Sequence, residues 1–294
     1  MHENWADGGK AMTNKKSGAQ LQQKKVDGEP IVVLTCYDYP SSLWMEEAGV
    51  DVIFCADSVG TNVLGYDDER QVSMDDMIHH LKAVRRGTRN AYLLADLPYG
   101  SCDTPEDALG NALRFVSLGA NGVKLEGHKP AVVEKLCARG IEVWGHLGLN
   151  PQLHERKGLK AKTARGAARL LNRARQLEAA GASFLVLELI PEQVGRAVSE
   201  ALRIPTIGIA AGRHTDGQVL VATDMLGVHH FDLGHVEQFA DLRSNGLAGV
   251  KQYTAAVRER RFPAEVNVRQ FREPEQAERF QAWLEAGTET ELPD

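Results

Sequence analysis

Short apolar runs recur along the chain. The stretches between them carry apolar residues three and four apart, the spacing of amphipathic helices. The runs predict strands near 31–36, 51–56, 91–95, 121–126, 141–146, 183–188, 205–209 and 219–223. Helical patterns fall near 40–48, 73–86, 104–118, 130–138, 163–180 and 191–201. Thr104-Pro105-Glu106 reads as an N-cap followed by a proline in the first turn, and Pro191 is placed to open a helix in the same way. Gly119, Gly140 and Gly181 stand where C′ glycines close helices. Alternating strands and helices predict a parallel sheet. Eight strands predict an α/β fold closed into a (β/α)8 TIM barrel, although a doubly wound open sheet suits the same alternation.

Four of the apolar runs end in a carboxylate: Asp57, Asp96, Glu126 and Glu188. In a barrel all strands point their C-terminal ends at one face, so these acids would converge on one pocket. Asp57, Asp96 and Glu126 offer only oxygen, which favours Mg²⁺ or Mn²⁺. The plain alternative is that each acid caps the next turn, as Asp57-Ser58 could do alone. Lys124 and Glu126 are two apart on one strand and face the same way. They form either a structural ion pair or a substrate-holding lysine beside a metal-bound glutamate. Glu188 closes a buried run, and desolvation there suits a general base. His146 and Tyr37 end strands on the same face, each as a catalytic or substrate-binding group or as a satisfied hydrogen-bonding rim residue. His79-His80 and His229-His230 lack metal-ligand spacing. Asp216, in the glycine-rich stretch 208–218, would repel phosphate, so a tight turn under a neutral ligand is expected there.

The 294 residues divide into a polar, flexible arm (1–28) with a short helix expected at its end near Leu21, the barrel (29–262) and a charged tail (263–294). The tail carries an amphipathic stretch at Phe280, Trp283 and Leu284, fit to dock on the barrel or on a neighbouring subunit. A net charge of −6 and the lack of a basic stripe argue against nucleic acid. The four cysteines (Cys36, Cys55, Cys102, Cys137) have no CxxC spacing and read as free thiols. No apolar run approaches the ~18 residues a membrane span needs. Lys10, Lys15 and Lys16 precede no apolar segment of the kind a signal peptide carries. A cytoplasmic protein is expected.

Several segments resemble the ketopantoate hydroxymethyltransferase family, in order and at matching spacing from about Val32 to Phe262. They are Thr35-Cys36-Tyr37-Asp38-Tyr39, Ala56-Asp57-Ser58-Val59-Gly60, Ala83-Val84-Arg85-Arg86-Gly87, Leu94-Ala95-Asp96-Leu97-Pro98, Val123-Lys124-Leu125-Glu126-Gly127, Gly145-His146-Leu147-Gly148-Leu149, Leu187-Glu188 and Thr215-Asp216-Gly217-Gln218. The resemblance implies a TIM barrel assembled as a cytoplasmic homodecamer. It implies Mg²⁺ on Asp57, Asp96 and Glu126, 2-oxo acid contacts from Ser58, Asp96 and Lys124, and Glu188 as proton acceptor. The implied reaction moves a hydroxymethyl group from 5,10-methylenetetrahydrofolate to C3 of 3-methyl-2-oxobutanoate through a metal-stabilised enolate. The product would be 2-dehydropantoate, in pantothenate and coenzyme A biosynthesis.

The chain departs from the family pattern at Gln152–Lys162, after the fifth predicted strand, at Ala210-Ala211-Gly212, and at His235-Val236-Glu237-Gln238-Phe239. Two other readings therefore stay open: a folate-independent, metal-dependent 2-oxo acid aldolase or lyase, and a catalytically silent barrel that binds a ligand.

Overall fold

The computed structural model describes residues 15–153, 158–229, 234 and 236–287. Eight parallel strands close on themselves in sequence order: β1 (Ile31–Thr35), β2 (Val52–Cys55), β3 (Tyr92–Asp96), β4 (Gly122–Glu126), β5 (Glu142–Gly148), β6 (Phe184–Glu188), β7 (Thr206–Ile209) and β8 (Gly217–Leu220). Closure settles the choice against an open sheet. β8 pairs with β1 through Ile31↔Gly217 to Leu34↔Leu220. The eighth strand starts two residues earlier than its apolar run suggests. Gly217 must lie flush against Ile31, whose carbonyl a Cβ would strike.

Helices α1 (Gly18–Asp27), α2 (Tyr39–Glu47), α3 (Met74–Gly87), α4 (Pro105–Ser117), α5 (Pro130–Cys137), α6 (Ala164–Ala179), α7 (Glu192–Ala201) and α8 (Ala222–Met225) accompany the strands. Their starts follow local chemistry. Thr104 accepts a hydrogen bond from the Asp107 N–H, with Pro105 in the first turn of α4. Ser73 and Asp76 make a reciprocal capping box on α3. Pro191 stands at the N-cap of α7, one place before the position expected. Among the described residues no helix is long and apolar enough to cross a membrane.

Period-two alternation decides what fills the barrel. The registers Asp96↔Lys124, Lys124↔Trp144, Glu126↔His146, Trp144↔Phe184 and Gly148↔Glu188 put these side chains on the inner face. The lower layer is aromatic. Trp144 stacks on Phe184 at 4.2 Å, and Tyr92 lies 5.8 Å from Trp144. Tyr92 donates its hydroxyl hydrogen to Glu142 at 2.7 Å. Truncating a fully buried ring such as Trp144 costs about 3–5 kcal/mol. The charged layer sits above this apolar floor.

The N-terminal segment holds the helix expected near Leu21, and that helix is anchored to the barrel. Residues 18–27 form α1, capped by Ser17 and closed by Gly28. Leu21 is buried in the core. Lys16 and Lys24 both pair with Asp51, at 2.7 and 2.8 Å, and Lys25 pairs with Asp216 at 2.9 Å. Asp51 and Asp216 each precede a strand, so α1 lies across the N-terminal end of the barrel. Asp216 also accepts from the Thr206 N–H and hydroxyl. It is an anchor at that end, and the expected turn under a ligand is not its role.

The chain parts into two compact units, Met1–Ala240 and Asp241–Asp294. The boundary falls earlier than the expected 262, because 242–258 is helical: the second unit holds α9 (Leu242–Arg258) and α10 (Pro274–Glu285). α9 was not anticipated, since its Gly246 and Gly249 weaken the helical pattern. Neither helix buries any of its residues. Phe280 packs on Trp283 at 5.9 Å, which accounts for the amphipathic stretch seen in the tail. The four cysteines are free, and burial raises the thiol of Cys36 to about 12.

Candidate active site

A cavity of about 500 Å³ opens at the C-terminal ends of the strands. Asp57, Ser58, Asp96, Lys124, Glu126, His146 and Glu188 all line it, so the structure brings seven of the eight singled-out residues together. Tyr37 is the exception. It is buried behind Ser58, sharing a 2.8 Å hydroxyl–hydroxyl hydrogen bond with it, and burial raises its phenol. Tyr37 thus orients Ser58 from outside the cavity lining. Its own carbonyl oxygen contacts His80 Nδ1 at 2.7 Å.

The charged layer runs around the wall as a chain of contacts. Lys124 Nζ donates to both carboxylate oxygens of Asp96, at 2.9 and 2.8 Å, and lies 3.7 Å from Glu126. Lys124 and Asp96 are 4% and 1% exposed, so solvent screens their attraction little. His146 stands between two acids, with Nδ1 3.3 Å from Glu126 and Nε2 3.2 Å from Glu188. Neither ring nitrogen makes an aligned hydrogen bond, so these are charge contacts. Glu188 is 20% exposed and opens toward the cavity, less desolvated than a fully buried strand end would be.

Burial and neighbours set the protonation tendencies. Burial, reinforced by Asp96, holds the Asp57 carboxyl well above the usual range. Burial also raises Asp96, against the pull of Lys124. Glu126 is driven up by burial, but Lys124 and His146 outweigh that and hold it low. Burial opposes charge on Lys124 and on His146. Asp96 and Glu126 overcome it for Lys124, and Glu126 overcomes it for His146, so both bases are strengthened. Three buried carboxylates against one ammonium leave a formal charge of −2 before His146 is counted.

Gln152 completes the layer, and sequence reasoning passed over it. It lies just beyond β5, and its side chain donates to Asp57 at 2.7 Å and to the Leu97 carbonyl at 3.1 Å. Its backbone N–H donates to Glu126 at 3.0 Å. Its position two residues beyond a strand-end Gly-Leu-Asn was the only signal for it. The divergent loop at 152–162 contributes this residue directly, and its residues 154–157 lie outside those described. His235, in the divergent segment 235–239, also lies outside them. Thr61, Asn62, Glu69 and Asp224 also line the cavity. Asn62 and Thr61 belong to a π-helical turn, Gly60–Leu64, with no apolar period to announce it.

Two cavity residues, Leu189 and Ala210, have positive φ (49° and 50°) without being glycine. Such backbone costs about 1–3 kcal/mol and persists only where surrounding contacts impose it. Here the Leu189 N–H donates to Ile209 and the Ile190 N–H to Ala210. Gly148 permits the close meeting of β5 and β6, because a Cβ there would strike the Glu188 carbonyl oxygen.

The donor set suits a hard divalent cation: it is all oxygen and short of positive charge. Among the described residues no three His, Cys, Asp or Glu side chains converge on one point. Each of the three acids already has a protein partner: Gln152 on Asp57, Lys124 on Asp96, and Gln152, Lys124 and His146 on Glu126, so a cation would exchange some of these contacts for its own. Mg²⁺ commonly takes only one or two carboxylates and completes its shell with water or substrate.

A carboxylate-rich cavity at the C-terminal mouth of a (β/α)8 barrel defines the class as a barrel enzyme. The sequence profile described as "Ketopantoate hydroxymethyltransferase" matches residues 15–265. The chain is 43% identical to the 3-methyl-2-oxobutanoate hydroxymethyltransferase of Geobacillus thermodenitrificans, over 88% of this chain and 96% of that one. It is 44% identical to the protein of the same name from Roseiflexus, over 85% and 92%. The chain belongs to the ketopantoate hydroxymethyltransferase family and is a hydroxymethyltransferase. The fold is also similar to that of phosphonopyruvate hydrolase solved with oxalate and Mg²⁺ (TM-score 0.58, 11% identity, 93% of this chain and 100% of that one). A 2,3-dimethylmalate lyase of the PEP mutase/isocitrate lyase superfamily matches with TM-score 0.53 at 14% identity, over 94% and 100%.

Proposed function

We propose that the cavity transfers a hydroxymethyl group from 5,10-methylenetetrahydrofolate to C3 of 3-methyl-2-oxobutanoate, giving 2-dehydropantoate. One observation carries this reading: the carboxylate pair Asp57 and Asp96 and the carboxylate of Glu188 face one cavity, joined through Lys124, Glu126 and His146. Mg²⁺ (or Mn²⁺) would be held among Asp57, Asp96 and Glu126, with water or substrate completing its shell. When bound, the cation supplies Lewis acidity that lowers the cost of negative charge on the oxo acid. Lys124 balances the charge of Asp96 and Glu126 and presents a cation to the substrate carboxylate. Ser58, fixed by Tyr37, offers a hydroxyl to the same substrate.

Glu188 takes the C3 proton. It is open to the cavity, and His146 stands 3.2 Å from its carboxylate. A water supplies the oxygen of the one-carbon unit and its two hydrogens to the folate nitrogens, so both methylene C–N bonds break and folate departs as tetrahydrofolate. The C3 carbanion bonds to the released carbon, and its oxygen takes the proton that Glu188 holds. Phe54, Val186, Ile209 and Val219 give the branched side chain of the oxo acid an apolar wall.

The family resemblance and the exposed apolar side chains Leu247, Val250, Tyr253 and Val257 on α9 support a homo-oligomer, a decamer in the proposed form. Its mass in solution tests that part. The chemistry is tested by proton NMR in D₂O with 3-methyl-2-oxobutanoate and Mg²⁺. Loss of the C3 proton signal without folate, and a new hydroxymethyl signal with it, is the expected result. Exchange without product would point to a folate-independent aldolase or lyase. No exchange would reject the assignment of Glu188.

A further inference from the structure

Strand alternation that aims Glu126 and His146 inward leaves Leu147 on the outer side of the same wall. There a second cavity, of about 380 Å³, lies between the ends of β4 and β5 and the first turns of α6. That volume accommodates a small ligand. Its charged lining is cationic: Lys160, Arg169 and Arg173, with His128 and Asn150 beside them. Among the described residues, the side chains of Lys160, Arg169 and Arg173 make no ion pair or hydrogen bond. His128 Nε2 is closed off from solvent and has no hydrogen-bond partner.

The arginines are not dispersed as a solvated helix face usually is. Arg165, Arg169 and Arg173 recur every four residues, so they project from one side of α6. No acid stands three or four residues from Arg169 or Arg173. Stacked like charges of this kind oppose helix formation, and an anion between them relieves the repulsion. Guanidinium groups present paired N–H donors that match carboxylate and phosphate oxygens bidentately.

We infer that this outer cavity binds a small ligand carrying two or more adjacent anionic groups, at a site separate from the catalytic cavity. Two guanidinium groups one helical turn apart, with a lysine opposite, call for more than one anionic group. Phosphate and carboxylate share that chemistry, and the choice between them is experimental.

The test is isothermal titration calorimetry of the full chain with sodium pyrophosphate and, separately, with citrate. The wild type is compared with an Arg169→Ala/Arg173→Ala variant. Both arginines are exposed and alanine favours helix, so the variant keeps the fold. Saturable binding of either probe, weakened roughly tenfold or more in the double variant and weakened again by added salt, is expected. Binding of pyrophosphate alone identifies a phosphorylated ligand, and binding of citrate alone a polycarboxylate; either supports the site. Lys160→Gln is expected to weaken the same probe by a smaller factor. Proton exchange at C3 of the oxo acid is expected to be unchanged in both variants, because none of these residues lines the catalytic cavity. No binding of either probe, or equal affinity in the double variant, would overturn the inference.

Discussion

Replacing Lys124 with methionine keeps the length of the side chain and removes the ammonium that faces Asp96 and Glu126. Both Asp96 oxygens lose their donor, at 2.9 and 2.8 Å, and Glu126 loses a cation 3.7 Å away. The formal charge of the layer goes from −2 to −3 in a setting that excludes water. Removing one side of a buried pair costs about 3–5 kcal/mol, chiefly because the remaining charge is stranded. In a unit of this size each kcal/mol moves Tm by about 2–4 °C, so the metal-free variant should melt roughly 6–20 °C below wild type. Calorimetric scans at neutral pH measure this.

A Lys124→Met/Asp96→Asn variant removes both partners and should recover much of the loss. Acid provides a second check. Burial already holds Asp57 and Asp96 above the usual carboxylate range, and losing Lys124 raises them further. A carboxyl whose folded pKa lies above its unfolded value destabilises at high pH and is relieved as pH falls. The gap between wild type and Lys124→Met should therefore narrow in acid. A fall in Tm of less than about 3 °C, or a double variant no more stable than the single one, would refute the charge account.

Glu188→Gln should abolish C3 proton exchange in D₂O and leave Tm nearly unchanged, because the side chain is partly open to the cavity; retained exchange would remove Glu188 from its proposed role. Asp57→Asn should reduce Mg²⁺-dependent stabilisation, which for wild type would reach about 2.7 kcal/mol at a hundredfold excess over Kd. Thermal scans with and without Mg²⁺ measure it, and an undiminished shift would reject Asp57 as a ligand. Asp51→Asn should cost about 1–2 kcal/mol, a figure discounted because Lys16 and Lys24 are roughly a third exposed. Burial pushes Asp51 up, but Lys16 and Lys24 outweigh it and hold the carboxyl below its usual range. Its contribution is present above the unfolded value and lost as pH falls through the folded one, so urea titrations should show the two proteins converging only in acid.

Strand and helix positions were legible because they are local. Each apolar run has to be buried on both faces in a parallel sheet, and each capping residue acts within one turn. The same locality made Asp57, Asp96, Glu126 and Glu188 visible, since a carboxylate ending a buried run is a feature of a few consecutive residues. What those acids do to one another was not legible. The excess negative charge, the opposite tendencies of Asp57 and Glu126, and the place of His146 between two acids depend on distances across the barrel.

Gln152 reaches Asp57 from 95 positions away, out of a loop with no periodicity. Tyr37 lies two residues beyond the end of β1, and only packing placed it behind Ser58. The helix near Leu21 was legible, but its few apolar residues gave no sign that it is anchored. It is held by Leu21 and by lysines whose partners, Asp51 and Asp216, lie far along the chain. The sequence by itself determined the order of elements and which acids stand at strand ends. The tertiary structure decided which charges meet, because Coulomb energy and desolvation depend on separation and burial in space, and neither follows from spacing along a chain.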